Sequence, residues 1–149
     1  MNFNPKDPAW ESKVRASFQR QSFLQLLGAE VETLSPGHCS IQIRSRSDLC
    51  QQHGFIHAGV TATIADTAAG YAAFSLMPPD STVLTAEFKI NLLSPARGNL
   101  FIARASVVKP GRTLSTVACT VHSSEMGNET PIASFLGTMM CLAEKSDAQ

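Results

Sequence analysis

An excess of either charge is what this chain most plainly lacks: twelve lysines and arginines stand against twelve aspartates and glutamates, for a formal net charge of zero. No global field draws it to nucleic acid or to an anionic membrane, so a charged ligand must be met by local groups. CxxC spacing is absent too. Cys39, Cys50, Cys119 and Cys141 lie far apart, three of them in strand-like apolar runs where a reduced thiol acts as a small hydrophobe, and this points to a reducing, cytoplasmic setting. The opening residues, MNFNPKDPAWESKVRASF, hold neither the apolar core nor the cleavage site of a signal peptide, and export is not expected. Internal repeats, low-complexity tracts and linkers are missing. Long apolar runs are missing as well, with one exception: the twenty residues Ala58–Met77 carry Asp66 as their one charge. Length alone would let this segment cross a bilayer. Its alanines, glycines and threonines give little transfer energy against an aspartate that costs ~2.5–3.5 kcal/mol at mid-membrane, so a helix wrapped by protein is expected.

What is present is the make-up of one globular domain: 149 residues, 44% hydrophobic and 16% charged, enough to bury a real core. From Pro8 to Leu27 the apolar spacing predicts an amphipathic helix lying across an edge of the body, with Gly28 as its stop. Ala29–Ser45 alternates like a hairpin around Ser35-Pro36-Gly37-His38. A polar loop, Ser47–Gln52, leads to a helix over His57–Leu76, closed by Pro78-Pro79. Strands are expected at Thr82–Leu93, Asn99–Lys109, Arg112–His122 and Ile132–Leu142, the middle two joined by the two-residue turn Pro110-Gly111, and the last followed by a polar tail. Helices and strands do not alternate regularly, so the class is α+β with an antiparallel sheet, curled around one long helix whose alanines and glycines permit close approach.

The stretch Gln51–Asp66, QQHGFIHAGVTATIAD, holds the candidate chemistry. Three interpretations compete. His53 and His57 are four apart, and Asp66 would complete a 2-His-1-carboxylate metal site, although Gly54 replaces the glutamate of HExxH. Alternatively, His57 caps the helix and Asp66 is a satisfied core carboxylate; such a group is costly without a partner, and the helix offers no cation. In the third, the free N–H groups of Ala58 and Gly59 at the positive helix end receive a developing oxyanion, and Asp66, poorly solvated, acts as nucleophile or general base. Eight residues of helix separate Ala58 from Asp66, ~12 Å at 1.5 Å per residue, so one carbonyl carbon cannot touch both. If both act on one substrate, Asp66 comes from a second copy of the helix, and the enzyme is a two-fold dimer with shared sites.

HGFIHAGVTATIADTAAGYAA, then TAEFKINLLSP at Thr85–Pro95 and VVKPGRTL at Val107–Leu114, resemble in order and spacing three blocks of the hotdog-fold acyl-CoA thioesterases, particularly the PaaI-type group; the likeness covers roughly residues 45–142. The resemblance implies a hotdog fold over 29–149, with 1–28 as an N-terminal helix of the same domain. It implies hydrolysis of an acyl- or aryl-CoA thioester by a homodimer with shared sites, paired into a tetramer, needing no metal or redox cofactor because CoA belongs to the substrate. By position it makes Asp66 the carboxylate that attacks the thioester or activates water, and gives Ala58 the backbone N–H that polarises the thioester carbonyl. Gln51 falls near the thioester or the water, His57 orients the thioester, and Thr85 assists the carboxylate. It also puts Lys109, Pro110, Gly111, Arg112 and Thr113 against CoA, where their cations and turn N–H groups suit phosphate; without it, this turn is a hairpin with solvated basic residues. The sequence departs from the family in reading HAG rather than HGG, adding a methyl beside the acyl pocket. Strict alternation on Thr82–Leu93 would also turn Thr85 away from the helix, with Glu87, Lys89 and Asn91. A hotdog hydratase or dehydratase and a non-catalytic acyl-CoA-binding domain are the alternatives. Against the first, such enzymes pair histidine and carboxylate from different motifs; against the second, no DNA-binding segment or basic surface accompanies the domain.

Overall fold

In a computed structural model that describes residues 3–143, the apolar spacing expected to form one helix forms two, α1 (Trp10–Gln19) and α2 (Ser22–Leu27). The reason lies in packing. A straight helix would set Leu27 about 140° round its axis from Val14, whereas the break, where Gln21 is extended (φ −84°, ψ 95°), lets Val14, Leu24 and Leu27 all enter one core. The Gln25 carboxamide donates to the Gln19 carbonyl at 2.6 Å, satisfying an acceptor that the break exposes. Gly28 closes α2 in the left-handed region, φ 68°, as its position predicts.

β1 (Glu30–Ser35) and β2 (His38–Arg44) form the expected hairpin across Pro36-Gly37. A short 3₁₀ turn (Ser47–Leu49) interrupts the polar loop before helix α3 (Ala58–Phe74), and four strands follow: β3 (Ser81–Leu92), β4 (Leu100–Lys109), β5 (Leu114–Glu125) and β6 (Asn128–Ala143). All pair antiparallel in one six-stranded sheet of order β1-β2-β4-β5-β6-β3, wrapped around α3. This is the α+β hotdog arrangement that the resemblance implies. The sheet-facing side of α3 is Ile64, Ala65, Ala68, Ala69, Ala72 and Ala73, each at most 1% exposed, so the helix lies close against the sheet. Another stripe, Gly59, Thr63, Asp66, Thr67 and Gly70, is left half-buried or exposed.

Two connections differ from expectation. Between β4 and β5 the chain needs four residues, Pro110–Thr113, rather than two: Pro110 cannot donate to the ladder, and the Thr113 carbonyl instead accepts from the Cys141 amide of β6 at 2.8 Å. β5 and β6 run on beyond the expected ends into a tight hairpin at Met126 (φ 49°) and Gly127 (φ 83°). Pro131 hides the early part of β6 from sequence reasoning, and the ladder absorbs it by a register shift opposite Val121 and His122. The polar tail beyond Ala143 lies outside the described residues. Among those described, no helix is long and apolar enough to cross a membrane.

Candidate active site

The loop that leads into α3 is tied to itself. The Gln51 amide donates to the Phe55 carbonyl at 2.8 Å, the Gly54 amide to the Gln51 carbonyl at 2.9 Å, and the His53 amide to Gln51 Oε1, which holds Gln51 beside the helix start. His57 is the N-cap: its Nδ1 accepts from the Gly59 amide at 2.8 Å. A ring nitrogen that accepts carries no proton, so the neutral imidazole bears its hydrogen on Nε2. This cap consumes one of the two amides that the sequence offers to an oxyanion. The Ala58 amide, first in the helix, has no acceptor among the described residues and remains the free N–H at the positive end. In front of it lies a cavity of about 450 Å³ with mostly apolar walls, among them Phe55, Thr61, Leu92 and Leu93, with Gln51 and Ala58 at its edge.

Two turns further along, Asp66 sits on the uncovered stripe of α3. Thr85 Oγ1 donates to its Oδ1 at 2.8 Å. This overturns the expectation from strict alternation, and the register explains why: Thr85 pairs with Met139 but Glu87 with Thr138, so Ala86 is an extra residue, a β-bulge. Before the bulge Val83 and Thr85 face α3. After it Phe88 and Ile90 do, Phe88 stacking on Phe135 with ring centroids 5.0 Å apart, while Glu87 accepts from the Thr138 hydroxyl on the opposite face.

Burial raises the Asp66 carboxyl above the ordinary carboxylate range, and the Thr85 hydroxyl pulls it part of the way back. Among the described residues no cation pairs with it. His53, His57 and Asp66 are not gathered as a metal site would need, and no cluster of His, Cys, Asp and Glu among the described residues is placed to hold an ion. The stretch Lys109–Thr113 is exposed, and its Pro110, Gly111 and Arg112 border a cavity of about 190 Å³ with Ala73, Leu76 and Met77, past the far end of α3.

One chain therefore joins Asp66 to Thr85, and sets Gln51 in the same cavity wall as Ala58, which follows the capping His57. It leaves these two groups about 12 Å apart by helix rise, with the basic turn beyond. Sequence reasoning misses Ser17, Gln21 and Tyr71, which share a cavity of about 150 Å³ with Asp66 and Thr85. Their meeting depends on how α1 folds back over α3, and no local pattern signals it.

Residues 53–130 match the family model described as Thioesterase superfamily. Among solved structures, a thioesterase family protein from Silicibacter pomeroyi is 48% identical, with a TM-score of 0.89 over 90% of this chain and 98% of that one. The E. coli PaaI protein from the phenylacetic acid degradation operon, 18% identical, shares the fold, with a TM-score of 0.82 over 91% of this chain and 95% of its own. In sequence, the 1,4-dihydroxy-2-naphthoyl-CoA hydrolase of Listeria monocytogenes is 26% identical over 89 residues, 60% of this chain and 72% of that protein.

Proposed function

This chain belongs to the Thioesterase superfamily and is a thioester hydrolase, and from that premise we propose that it hydrolyses acyl- or aryl-CoA thioesters at a site shared between two copies. One observation carries the proposal. A carboxylate that burial desolvates and Thr85 orients lies on an uncovered helix stripe, and a free amide waits at the start of that same helix. On one carbonyl carbon they act together only if a second α3, antiparallel to the first, supplies the other half.

The chemistry divides accordingly. The Ala58 N–H meets the charge that develops on the thioester oxygen. Asp66 of the other copy either takes a proton from the attacking water, which adds to the carbonyl carbon while the C–S bond breaks and the proton passes to the departing thiolate, or attacks that carbon itself, expelling the thiolate and leaving an acyl anhydride that water hydrolyses to the free acid, a proton from that water going to the thiolate. Gln51 lies beside the thioester, and His57, by capping α3, holds the Ala58 amide in place. Thr85 fixes the Asp66 carboxylate. The Lys109–Thr113 turn offers Lys109 and Arg112 to the phosphates of CoA. No metal or redox cofactor takes part.

The surface favours a second copy. β3 is an edge strand, and Phe88, Leu92 and the following Leu93 stay 43–57% exposed beside the stripe that carries Asp66. An edge this long and apolar invites pairing, and two such dimers make the tetramer. The four cysteines are free, and we place the protein in a reducing compartment such as the cytoplasm. The deciding measurement is thiol release from short, long and aromatic acyl-CoA thioesters. Turnover of at least one supports the proposal; no release from any of them, by protein whose fold is verified, overturns it.

A further inference from the structure

Phe55 stands in the wall of the 450 Å³ cavity, and the Arg97 guanidinium lies over its ring, with Cζ 4.6 Å from the ring centroid. Arg97 itself is exposed and outside that wall. No carboxylate among the described residues pairs with it, Glu125 across a cavity of about 370 Å³ included. The negative face of the ring is what holds this cation.

The backbone aims it there. In the connection between β3 and β4 the Ala96 carbonyl accepts from the Ile56 amide at 3.1 Å, and the Arg97 amide donates to the Pro95 carbonyl at 2.9 Å. Asn99 is tied on both sides: its amide donates to the Ser124 carbonyl at 3.1 Å, and its carbonyl accepts from the Ser45 amide at 3.0 Å. Gly98 between them takes φ 135°, and a Cβ there would stand 2.9 Å from the Ser124 oxygen, so glycine lets the chain pass this close to β5. Arg97 therefore rises from a fixed base, one residue from the carbonyl that grips the loop carrying Phe55.

Phe55 passes the restraint on. Its carbonyl accepts from the Gln51 amide, and the His53 amide takes Gln51 Oε1, which leaves Gln51 Nε2 without an acceptor among the described residues at the edge of the cavity. A ring that swings away from Arg97 frees the turn that carries this carboxamide. We propose that Arg97 is a positioning residue for thioester hydrolysis: it clamps Phe55, and through Phe55 it holds the Gln51 carboxamide beside the scissile group. The proposal rests on the thioester-hydrolase site described above and adds a residue that acts on it from outside the cavity.

The test measures kcat and KM separately for one accepted acyl group, carried on CoA and on N-acetylcysteamine, a thiol without phosphates. Arg97→Gln lowers kcat about twofold to fivefold, the worth of a cation over an aromatic face at an exposed site, with KM little changed and the same loss on both thiols. Arg97→Lys, which keeps a cation above the ring, recovers most of that loss. In a Gln51→Ala background Arg97→Gln brings no further loss, as expected of groups that act in series. The proposal is overturned if Arg97→Gln leaves kcat unchanged, if Arg97→Lys is as slow as Arg97→Gln, or if the two substitutions act independently in the double variant. It is overturned too if the loss appears on the CoA thioester alone, which makes Arg97 a phosphate contact instead. In each of these results thioester hydrolysis itself stands. If no thioester at all is cleaved by protein of verified fold, the site assignment falls and takes this proposal with it.

Discussion

Replacing Asp66 by asparagine keeps the shape of the side chain and its bond to Thr85, and removes the group able to attack or to accept a proton. Asp66→Asn should lower kcat by about 10²–10⁴ on every accepted thioester, measured as thiol release. Its effect on stability has the opposite sign. Because burial raises the folded pKa of Asp66, the folded state binds its proton more tightly than the unfolded state does. The stability that this group contributes is fully present below the unfolded carboxylate value and is lost as pH rises through the raised one. Thermal melts should therefore place Asp66→Asn above the parent at neutral pH, with the gap closing in acid. Thr85→Val should act through the same carboxylate. Without its hydroxyl donor the Asp66 pKa climbs further, so the acid limb of the kcat/KM profile moves to higher pH, with a loss of about tenfold to a hundredfold at neutral pH. An unmoved limb would sever Thr85 from Asp66. That aspartate and threonine belong to one site is legible in the order of the motifs; that they touch is not, because the bulge at Ala86 depends on how β3 registers against β6.

At the scale of elements, α3 matters for where its first amide points. Ala58 is the first helical residue, and His57 before it is extended (φ −61°, ψ 138°), a conformation compatible with a following proline. Proline is well tolerated at that position, where its missing N–H breaks no helical bond. Ala58→Pro thus deletes the proposed oxyanion donor and little else. The expected result is a loss of about 10²–10³ in kcat with an unchanged circular dichroism spectrum; full activity would refute the oxyanion role. The elements themselves were largely readable, since period and turn residues place all six strands and the long helix. The misses have local causes: Val14 and Leu27 satisfy a single helical spacing only loosely, and Pro131 masks a strand that the sheet extends past it.

For the whole molecule the prediction concerns two defective proteins. Asp66→Asn and Ala58→Pro damage different halves of a shared site, so a mixed dimer carries one intact site and one doubly broken one. Equal amounts, co-refolded to exchange subunits, should recover about a quarter of parental activity, because half of the dimers are mixed and each has one good site. If each chain holds its own complete site, mixing recovers nothing. Size-exclusion chromatography with light scattering supplies the companion measurement: a monomer that hydrolyses CoA thioesters would exclude the shared arrangement.

The chemistry the chain can offer is readable from its residues: an aspartate alone in an apolar helix, small residues at that helix's start, and a basic turn, all legible because charge, side-chain size and periodicity are local properties. Which groups meet follows from the packed fold. A one-residue bulge turns Thr85 onto Asp66, a capping histidine takes Gly59 and leaves Ala58 free, and a break between two short helices brings Gln21 onto Tyr71. The bulge and the helix break depend on partners distant in the chain and leave no trace in the pattern of residues; the cap spans only two residues, and the sequence offers it as one of three interpretations without choosing among them.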